Sequence, residues 1–320
     1  MTRRPKLLVK DRMMATLQQA LERDYDIAVL KAQADPAGFL AERGAQFEGL
    51  VTSAAYGADA ALMDALPSLR VISSFGVGLD KVDVAAARKR GIAVGYTPDV
   101  LNDCVADLAF GLLIDAARGI SAGDRYVRRG DWPRASATPG VSNFPLRTRV
   151  SGKKLGIVGL GRIGRVIARR ASGFDMEVRY CNRTPAPGVA FTHEPSPVAL
   201  ARWADFLVVA AAGGADTRGL VSREVLDALG PEGFLVNVAR GTVVDEGALL
   251  EALAQRRIAG AGLDVFEHEP KVPEAFFALD NVVLLPHVAS GTTETRQAMA
   301  DLVFENLRRF FATGELAAAA

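Results

Sequence analysis

Short aliphatic runs alternate along the chain with longer stretches in which apolar residues recur every three or four positions. In the N-terminal part, the runs predicted to be strands are Leu7–Val9, Ile27–Leu30, Gly49–Thr52, Val71–Ser73 and Ile92–Val94. Intervening stretches such as Met13–Arg23 have the periodicity of amphipathic helices. Apolar strands that alternate with helices form parallel sheets covered on both faces. The pattern therefore predicts an α/β fold.

A second series of the same kind follows an interruption in the middle of the chain. A long apolar helix is predicted from about Val100 to Ala117, and the pattern then dissolves between Gly119 and Thr148. A loop of this length usually has a function or forms an interface. Later strands are predicted near Lys154–Val158, Glu177–Tyr180, Phe206–Ala210, Gly233–Val238, Gly260–Asp264 and Val282–Leu285, before a last helix at about Thr292–Phe311. Two series in 320 residues indicate two domains.

The composition argues against several classes of protein. The formal net charge is only +1, which gives no electrostatic reason to expect binding to nucleic acid or to an anionic membrane. The two cysteines, Cys104 and Cys181, are far apart and lack the spacing of metal ligands. We therefore expect a reducing compartment, no disulfide and no metal site. No apolar run has the length of a secretory signal or a membrane span, so we expect a cytoplasmic protein.

A glycine-rich turn is predicted between the strand near Lys154–Val158 and a helix. The turn contains Gly159, Gly161 and Gly164 in the pattern Gly-x-Gly-x-x-Gly. The first glycine permits a tight turn, the second lets the backbone approach a pyrophosphate, and the third lets helix and sheet pack closely. The alternative is a tight strand-to-helix turn without a ligand. Because the motif follows a strand and opens a helix, it predicts a dinucleotide-binding site.

The end of the next strand indicates which dinucleotide is preferred. NAD sites place an acidic residue there, whereas this chain has Asn182, Arg183 and Thr184. Asp175 and Glu177 lie at the other end of the strand. No carboxylate would repel a 2′-phosphate, Arg183 can pair with it, and the neighbouring polar side chains can donate hydrogen bonds. The sequence predicts a preference for NADP, the alternative being that Arg183 is a solvated residue in a turn.

Charged or titratable residues follow three predicted strands at their carboxyl ends, where open α/β sheets bind ligands. Arg240 follows one strand, Glu269 follows another, and His287, one of three histidines, follows a third. Reduction of a 2-oxo acid requires an anchored carboxylate, a polarised carbonyl and a proton donor. Arg240 can bind carboxylate and carbonyl, His287 can donate the proton, and Glu269 can stabilise the imidazolium. A purely structural role is the alternative for His287.

These stretches together resemble the D-isomer-specific 2-hydroxyacid dehydrogenase family over essentially the whole chain. The matching stretches, in the family's order and spacing, are Gly159–Gly164, Asn237–Asp245, Gly262–Pro270 and Leu285–Gly291, and Phe75–Asp80 resembles the family's substrate loop. The resemblance implies two Rossmann-like or flavodoxin-like lobes with parallel sheets and a cleft between them. Residues 1–98 with 288–320 would form the substrate-binding lobe, and 99–287 the NAD(P)-binding lobe. Residues 119–148 would be the arm through which family members form homodimers.

The same resemblance implies roles for individual residues. Arg240, Glu269 and His287 would be the catalytic triad, and the amides of Val77 and Gly78 would bind the substrate carboxylate. The remaining residues that the resemblance places near the cofactor are Arg162, Ile163, Thr217, Val238, Ala239 and Asp264.

Within the family, two stretches resemble the branch of glyoxylate/hydroxypyruvate and hydroxyphenylpyruvate reductases. They are Asn182–Thr184 and the turn Ala211–Gly214. The resemblance implies NADPH-preferring reduction of a small 2-oxo acid, glyoxylate or hydroxypyruvate, to the D-2-hydroxy acid. One alternative is an aromatic 2-oxo acid reductase. Another is a non-catalytic protein that senses dinucleotides, like the corepressors built on this fold.

Overall fold

The structure is a computed structural model that describes residues 3–135 and 143–320. The chain divides into two compact units. The first unit combines Met1–Leu101 with Ser290–Ala320, and the second is Asn102–Ala289. No helix within the described ranges is both long and apolar enough to cross a membrane.

The first unit is a five-stranded parallel sheet with helices on both faces. Its strands are β1 (Lys6–Val9), β2 (Asp26–Val29), β3 (Gly49–Ser53), β4 (Val71–Phe75) and β5 (Ala93–Gly95). Their order in the sheet is β2-β1-β3-β4-β5. The helices of the N-terminal segment are α1 (Ala15–Asp24), α2 (Pro36–Arg43), α3 (Ala60–Asp64) and α4 (Val84–Lys89), and the C-terminal segment adds the last helix, α12 (Thr293–Thr313).

Alternation along β1 explains how this sheet buries both faces. Leu7 and Val9 belong to a cluster that contains Val303 and Leu307 of α12, whereas Leu8 belongs to a separate cluster with residues of α3 and α4. Successive side chains of a strand point to opposite faces of the sheet. An apolar run without alternation therefore requires cover on both sides, as the sequence predicts.

The second unit is a seven-stranded parallel sheet. Its strands are β6 (Lys154–Val158), β7 (Glu177–Cys181), β8 (Thr192–His193), β9 (Phe206–Val209), β10 (Phe234–Asn237), β11 (Gly260–Leu263) and β12 (Val282–Leu284). Its helices are α5 (Asn102–Arg118), α6 (Ile120–Arg128), α7 (Asp131–Ala135), α8 (Arg162–Ala171), α9 (Pro197–Trp203), α10 (Arg223–Leu229) and α11 (Glu246–Ala254). The fold class predicted from the sequence, α/β with parallel sheets, is confirmed.

The strand order of the second unit defines where a ligand can bind. The order is β12-β11-β10-β9-β6-β7-β8, so the chain builds outward from β6 in one direction and then returns to its other side with β9. Carboxyl ends of parallel strands form a crevice at such a switch point. The glycine-rich turn follows β6 directly, which places it at this crevice.

One expectation about the middle of the chain is wrong. The loop predicted from Gly119 begins with two short helices, α6 and α7. Gly119 separates α5 from α6 with a φ of +66°, a left-handed conformation that glycine adopts readily. None of the residues of α6 is buried, so its apolar positions do not mark a core-facing side in the sequence. Residues 136–142 of the expected arm lie outside the described residues.

Candidate active site

The three glycines of the motif shape the turn between β6 and α8. Gly159 has a φ of +99°, and a Cβ there would lie 2.5 Å from the backbone nitrogen of Ala211. A Cβ on Gly164 would lie 2.2 Å from the carbonyl oxygen of Gly159, so helix and strand approach too closely for any side chain. At Gly161 the space is open, and no side chain caps the helix that begins with Arg162 and Ile163. An uncapped helix start beside open space fits the phosphates of a dinucleotide.

Asn182, expected to contact the cofactor, also supports the glycine-rich turn. Its side-chain oxygen accepts a hydrogen bond of 2.7 Å from the amide of Leu160. Its backbone carbonyl lies 3.0 Å from Nε2 of His193, whose ring packs 5.2 Å from that of Tyr180. The side-chain oxygen of Asn182 thus links the end of β7 to the turn, and its NH2 group is the part that can donate to a ligand.

The predicted 2′-phosphate contact, Arg183, already has an acidic neighbour. Its Nη1 lies 3.0 Å from Oδ2 of Asp216, and both side chains are highly exposed. Thr217, next to Asp216, donates from its hydroxyl to the carbonyl of Ala212 at 2.7 Å. Thr184 is exposed. Asp216 therefore shares the edge of the predicted cofactor site with Arg183, a feature that the sequence analysis missed because the two residues are far apart along the chain.

His287 and Glu269 meet in the second unit. Nδ1 of His287 lies 2.7 Å from Oε2 of Glu269, and Oε1 of the same carboxylate accepts the amide hydrogen of Phe266 at 3.1 Å. The imidazole is partly exposed, at 44% of its side-chain surface. With Nδ1 bound to the carboxylate, Nε2 is the nitrogen that can face a substrate.

Several interactions keep Glu269 ionised. Burial alone would raise the pKa of this carboxyl group, but the hydrogen bond and charge of His287, the Phe266 amide and the charge of Arg240 outweigh burial and lower the pKa below the ordinary value of 4.5. Glu269 is therefore a carboxylate at neutral pH, and a carboxylate beside the ring stabilises an imidazolium.

Arg240 follows β10 in a turn that a buried asparagine shapes. Asn237 donates from Nδ2 to the carbonyl of Arg240 and accepts from the amide of Ala239 at Oδ1, both at 3.0 Å. Arg240 donates from Nη1 to the carbonyl of Ala239 at 2.8 Å, and Val238 and Ala239 are buried. Asn237 is a positioning residue that the sequence analysis did not single out. The feature of the sequence that could have revealed this role is an amide side chain at the end of β10, which is otherwise apolar.

Asp264 fixes the backbone around His287. Its carboxylate accepts the amide hydrogens of Val288 at 2.7 Å and Ala289 at 2.9 Å, and its carbonyl accepts that of His287 at 2.8 Å. His287 has a φ of +52°, which non-glycine residues rarely adopt. Burial raises the pKa of Asp264 above 3.8, although the two amides oppose this shift. The family resemblance implies a position near the nicotinamide for Asp264, and the structure shows that both of its carboxylate oxygens accept amide hydrogens from the segment that follows His287.

Val77 and Gly78, the predicted carboxylate-binding residues, belong to the first unit. They follow β4 and are both partly exposed. Gly76, just before them, has a φ of +137° and donates from its amide to the hydroxyl of Thr97 at 3.0 Å. This hydrogen bond holds the start of the loop against the segment that follows β5. The next two backbone amides are those of Val77 and Gly78, which are partly exposed.

Arg240, Glu269 and His287 come together in one unit, beyond the ends of β10, β11 and β12. A nicotinamide dinucleotide, when bound, supplies or accepts a hydride. The chain itself contributes a guanidinium that can bind a carboxylate, an imidazole that can donate a proton, and a carboxylate in contact with that imidazole. Comparison with known families agrees with this geometry, since residues 110–289 match the NAD binding domain of the D-isomer specific 2-hydroxyacid dehydrogenases. The chain belongs to this family.

Relatives of this dehydrogenase cover nearly its whole length. It is 48% identical over 93% of both chains to a hydroxyphenylpyruvate reductase from Plectranthus scutellarioides. It is 46% identical over 93% of both chains to a glyoxylate/hydroxypyruvate reductase from Arabidopsis thaliana. A solved structure of an NADPH-dependent glyoxylate/hydroxypyruvate reductase from Sinorhizobium meliloti, in complex with NADP and malonate, has a TM-score of 0.89 and 43% identity, over 99% of this chain and 97% of that one.

Proposed function

We propose that the dehydrogenase reduces a small 2-oxo acid, glyoxylate or hydroxypyruvate, to the D-2-hydroxy acid with a hydride from NADPH. The observation that carries the proposal is the 2.7 Å contact between His287 and Glu269, in the same unit as Arg240. The Arabidopsis and Sinorhizobium relatives are glyoxylate/hydroxypyruvate reductases, which supports this choice of substrate.

The residues divide the work of this reaction among them. The amides of Val77 and Gly78 bind the substrate carboxylate, and Arg240 binds the carboxylate and polarises the carbonyl. His287 donates a proton from Nε2 to the carbonyl oxygen as the hydride reaches the carbon. Glu269, whose Oε2 accepts a hydrogen bond from Nδ1 of His287, stabilises the imidazolium before the transfer.

The preference for NADPH rests on the end of β7. Arg183 is the cation there, and Asn182 and Thr184 can donate hydrogen bonds to a 2′-phosphate. The Sinorhizobium relative is NADPH-dependent. The resemblance to the family implies the remaining contacts with the cofactor. The residues at the phosphates are Gly159, Gly161, Arg162, Ile163, Gly164 and Thr217. The residues near the nicotinamide are Val238, Ala239 and Asp264.

An aromatic 2-oxo acid is the second candidate substrate. The relative from Plectranthus scutellarioides is a hydroxyphenylpyruvate reductase, and its identity to this chain is as high as that of the glyoxylate/hydroxypyruvate reductases. The two candidates differ in the size of the group attached to the carbonyl, so a comparison of substrates separates them.

We also propose a cytoplasmic homodimer formed through residues 119–148. Within this arm, Ile120, Val127, Trp132 and Leu146 are large apolar residues with exposed side chains. Apolar groups concentrated in one exposed segment indicate an interaction surface, and a second copy of the chain would bury them. Neither Cys104 nor Cys181 forms a disulfide in the part of the chain that the structure describes, which fits a reducing compartment.

The test follows NADPH oxidation by absorbance with glyoxylate, hydroxypyruvate and phenylpyruvate, and repeats each reaction with NADH. We expect the highest kcat/KM with NADPH and one of the two small acids. A higher kcat/KM for phenylpyruvate would favour the aromatic candidate. Binding of NADPH without turnover of any of these 2-oxo acids would contradict the proposed activity.

A further inference from the structure

An ion pair in the second unit joins two loops that carry proposed site residues. Nη1 of Arg218 lies 2.7 Å from Oε1 of Glu267. Arg218 directly follows Thr217, the proposed phosphate contact in the loop after β9. Glu267 lies two residues before Glu269, in the segment after β11. Arg218 is exposed and Glu267 is partly buried, and no role assigned above uses this pair.

The loop after β9 is also joined by its backbone to the turn after β10. The amide of Gly219, the residue that follows Arg218, donates to the carbonyl of Thr242 at 2.8 Å. Thr242 lies two residues after Arg240. This bond fixes the backbone beside Arg218 against the segment that carries Arg240. Because only backbone atoms form it, the bond stays in place when the side chain of Arg218 is changed.

The turn after β10 packs in turn against the residues that lead to Glu269. A Cβ on Gly241 would lie 1.9 Å from the carbonyl carbon of Phe266 and 2.3 Å from the backbone nitrogen of Glu267. Only glycine fits at such distances, so the two backbones are in direct contact. The amide of Phe266 donates to Oε1 of Glu269 at 3.1 Å. A shift of the backbone at Phe266 therefore moves the carboxylate that contacts His287.

Glu267 is held from a second direction as well. Its backbone amide donates to Oε2 of Glu246, the first residue of α11, at 3.0 Å. The segment before Glu269 is thus bound by α11, by the turn after β10 and by the loop after β9. Of these three ties, the ion pair with Arg218 joins two side chains, so it can be removed without a change in the backbone.

We propose that Glu267 is a positioning residue for Glu269, and that its ion pair with Arg218 sets the phosphate-binding loop and the proton-donating pair in place together. The proposal deepens the proposed function and rests on it. In this role neither Arg218 nor Glu267 contacts the substrate. The pair acts through the backbone of Phe266 on Glu269, and a carboxylate that moves away from Nδ1 of His287 stabilises the imidazolium less.

The alternative is that Arg218 binds a phosphate of the cofactor, with Glu267 as a competitor for the guanidinium. The two roles predict different results. Neutralising either member of a positioning pair lowers the rate, whereas neutralising a competitor of the phosphate tightens the binding of NADPH. The contacts of Glu267 with Glu246 and Gly241 favour the positioning role, because a competitor at an exposed guanidinium needs no such support.

Neutral variants test the pair in the intact protein. With NADPH and glyoxylate or hydroxypyruvate, we expect kcat to fall by roughly 3-fold to 10-fold in Glu267→Gln and in Arg218→Gln. The affinity for NADPH, measured by fluorescence titration, should change by less than about 2-fold. The double variant should lose no more than either single variant, because both substitutions break the same contact. Tighter binding of NADPH to Glu267→Gln together with weaker binding to Arg218→Gln would overturn the proposal.

Two further readouts separate positioning from a general weakening of the fold. Arg218→Glu combined with Glu267→Arg restores an ion pair with exchanged charges and should recover most of the wild-type kcat. In the single neutral variants, the alkaline limb of the pH profile of kcat should move to lower pH by roughly half a unit, because the imidazolium is less stabilised. The same fall in kcat at every pH, or no recovery in the exchanged variant, would overturn the proposal.

The matched control is an ion pair at the other end of the same sheet. Arg256 and Asp280 are paired and exposed, and they precede β11 and β12 rather than follow them. Arg256→Gln and Asp280→Asn should therefore leave kcat, the affinity for NADPH and the pH profile unchanged. Losses in these variants equal to those in Glu267→Gln would show that any broken surface pair lowers the rate, and would overturn the proposal.

Nitrogen NMR of the histidine rings tests the positioning without turnover and so separates it from the proposed function. The hydrogen bond between Nδ1 of His287 and Glu269 influences the signals of the ring nitrogens, and His287→Ala assigns them. Glu267→Gln should move these signals toward their positions in Glu269→Gln and leave those of His193 unchanged. If the signals move but no 2-oxo acid is turned over, the proposed function fails and the positioning role holds. Signals of His287 that keep their wild-type positions in Glu267→Gln would overturn the proposal.

Discussion

The pairing of His287 with Glu269 assigns different functions to two side chains in contact. Because the pKa of Glu269 is lowered, the carboxylate keeps its charge at neutral pH and holds Nδ1 of the ring. His287→Ala removes the proton donor, and we expect kcat to fall by about 10²–10⁴-fold, the range for loss of general acid catalysis. Affinity for NADPH, measured by fluorescence titration, should stay nearly constant.

The control for this variant is His268→Ala, an exposed histidine next to Glu269 that is not part of the pair. It should keep near-wild-type turnover. If His287→Ala retained wild-type turnover with all tested 2-oxo acids, His287 would not be the proton donor.

The contact between Arg183 and Asp216 leads to a prediction about cofactor preference. The aspartate competes with a 2′-phosphate for the same guanidinium and repels the phosphate. Asp216→Asn should therefore improve kcat/KM for NADPH by roughly 2-fold to 5-fold, since exposed ion pairs contribute little, and should leave NADH nearly unchanged. Arg183→Ala should act in the opposite direction and weaken NADPH selectively. Equal changes for both cofactors in either variant would show that these residues do not contact the 2′-phosphate.

At the scale of single residues, the sequence predicted those whose chemistry is tied to a local pattern. The glycines of the turn after β6 are an example, because their spacing between a strand and a helix has a direct steric meaning. Asn237 and Asp216 escaped prediction. Their roles depend on hydrogen bonds and charges brought together by the folded chain, and an isolated asparagine or aspartate has no pattern that reveals such a partner.

At the scale of elements, the residue that follows β11 fixes the backbone of the segment after β12. Asp264 holds three consecutive amides, from His287 to Ala289, and so fixes the left-handed backbone at His287. Asp264→Asn replaces one acceptor with a donor and leaves one amide unpaired. We expect a loss of roughly 1–3 kcal/mol in the free energy of unfolding and a lower kcat, because His287 is less well placed.

The pH dependence of stability tests the buried charge of Asp264. Since its folded-state pKa is raised above 3.8, its contribution to stability is present below that pH and is lost as pH rises through the raised pKa. The stability of the wild type relative to Asp264→Asn should therefore decrease as pH rises from 3.8 and then level off, measured by urea unfolding at several pH values. Asp301→Asn, an exposed carboxylate on α12, is the control and should show no such change. A pH-independent difference between wild type and Asp264→Asn would contradict the burial argument.

Element boundaries were predictable where apolar periodicity marks a core. The helix expected from about Val100 to Ala117 is α5, Asn102–Arg118, because seven of its residues are buried. The helix α6 was not predicted, since none of its residues is buried and its apolar side chains do not face a core. The strand β8 also escaped prediction because two residues at a sheet edge carry no periodicity.

At the scale of the whole molecule, two parallel sheets follow from apolar runs that lack alternation. β9 and β10 each have four consecutive buried residues, and such a run requires that other elements cover both faces of the sheet. A cavity of about 250 Å³ that opens on the first unit was not predicted. Its lining residues Arg12, Tyr56, Phe75 and Arg296 come from four separate segments of the chain, and only folding brings them together.

The exposed apolar residues of the arm give a prediction about assembly. Val127 of α6 and Leu146 are exposed in a single copy of the chain, and a partner copy would bury them. We expect light scattering coupled to size-exclusion chromatography to give a mass about twice the 33.9 kDa of one chain. Val127→Asp combined with Leu146→Asp should shift the mass toward one chain, because burying unpaired carboxylates in an apolar interface is strongly unfavourable. Ala34→Asp, at an exposed position of the first unit, introduces the same charge outside the arm and should leave the mass unchanged. A wild-type mass of one chain, or a dimer that tolerates both aspartates, would place the subunit contact elsewhere or remove it.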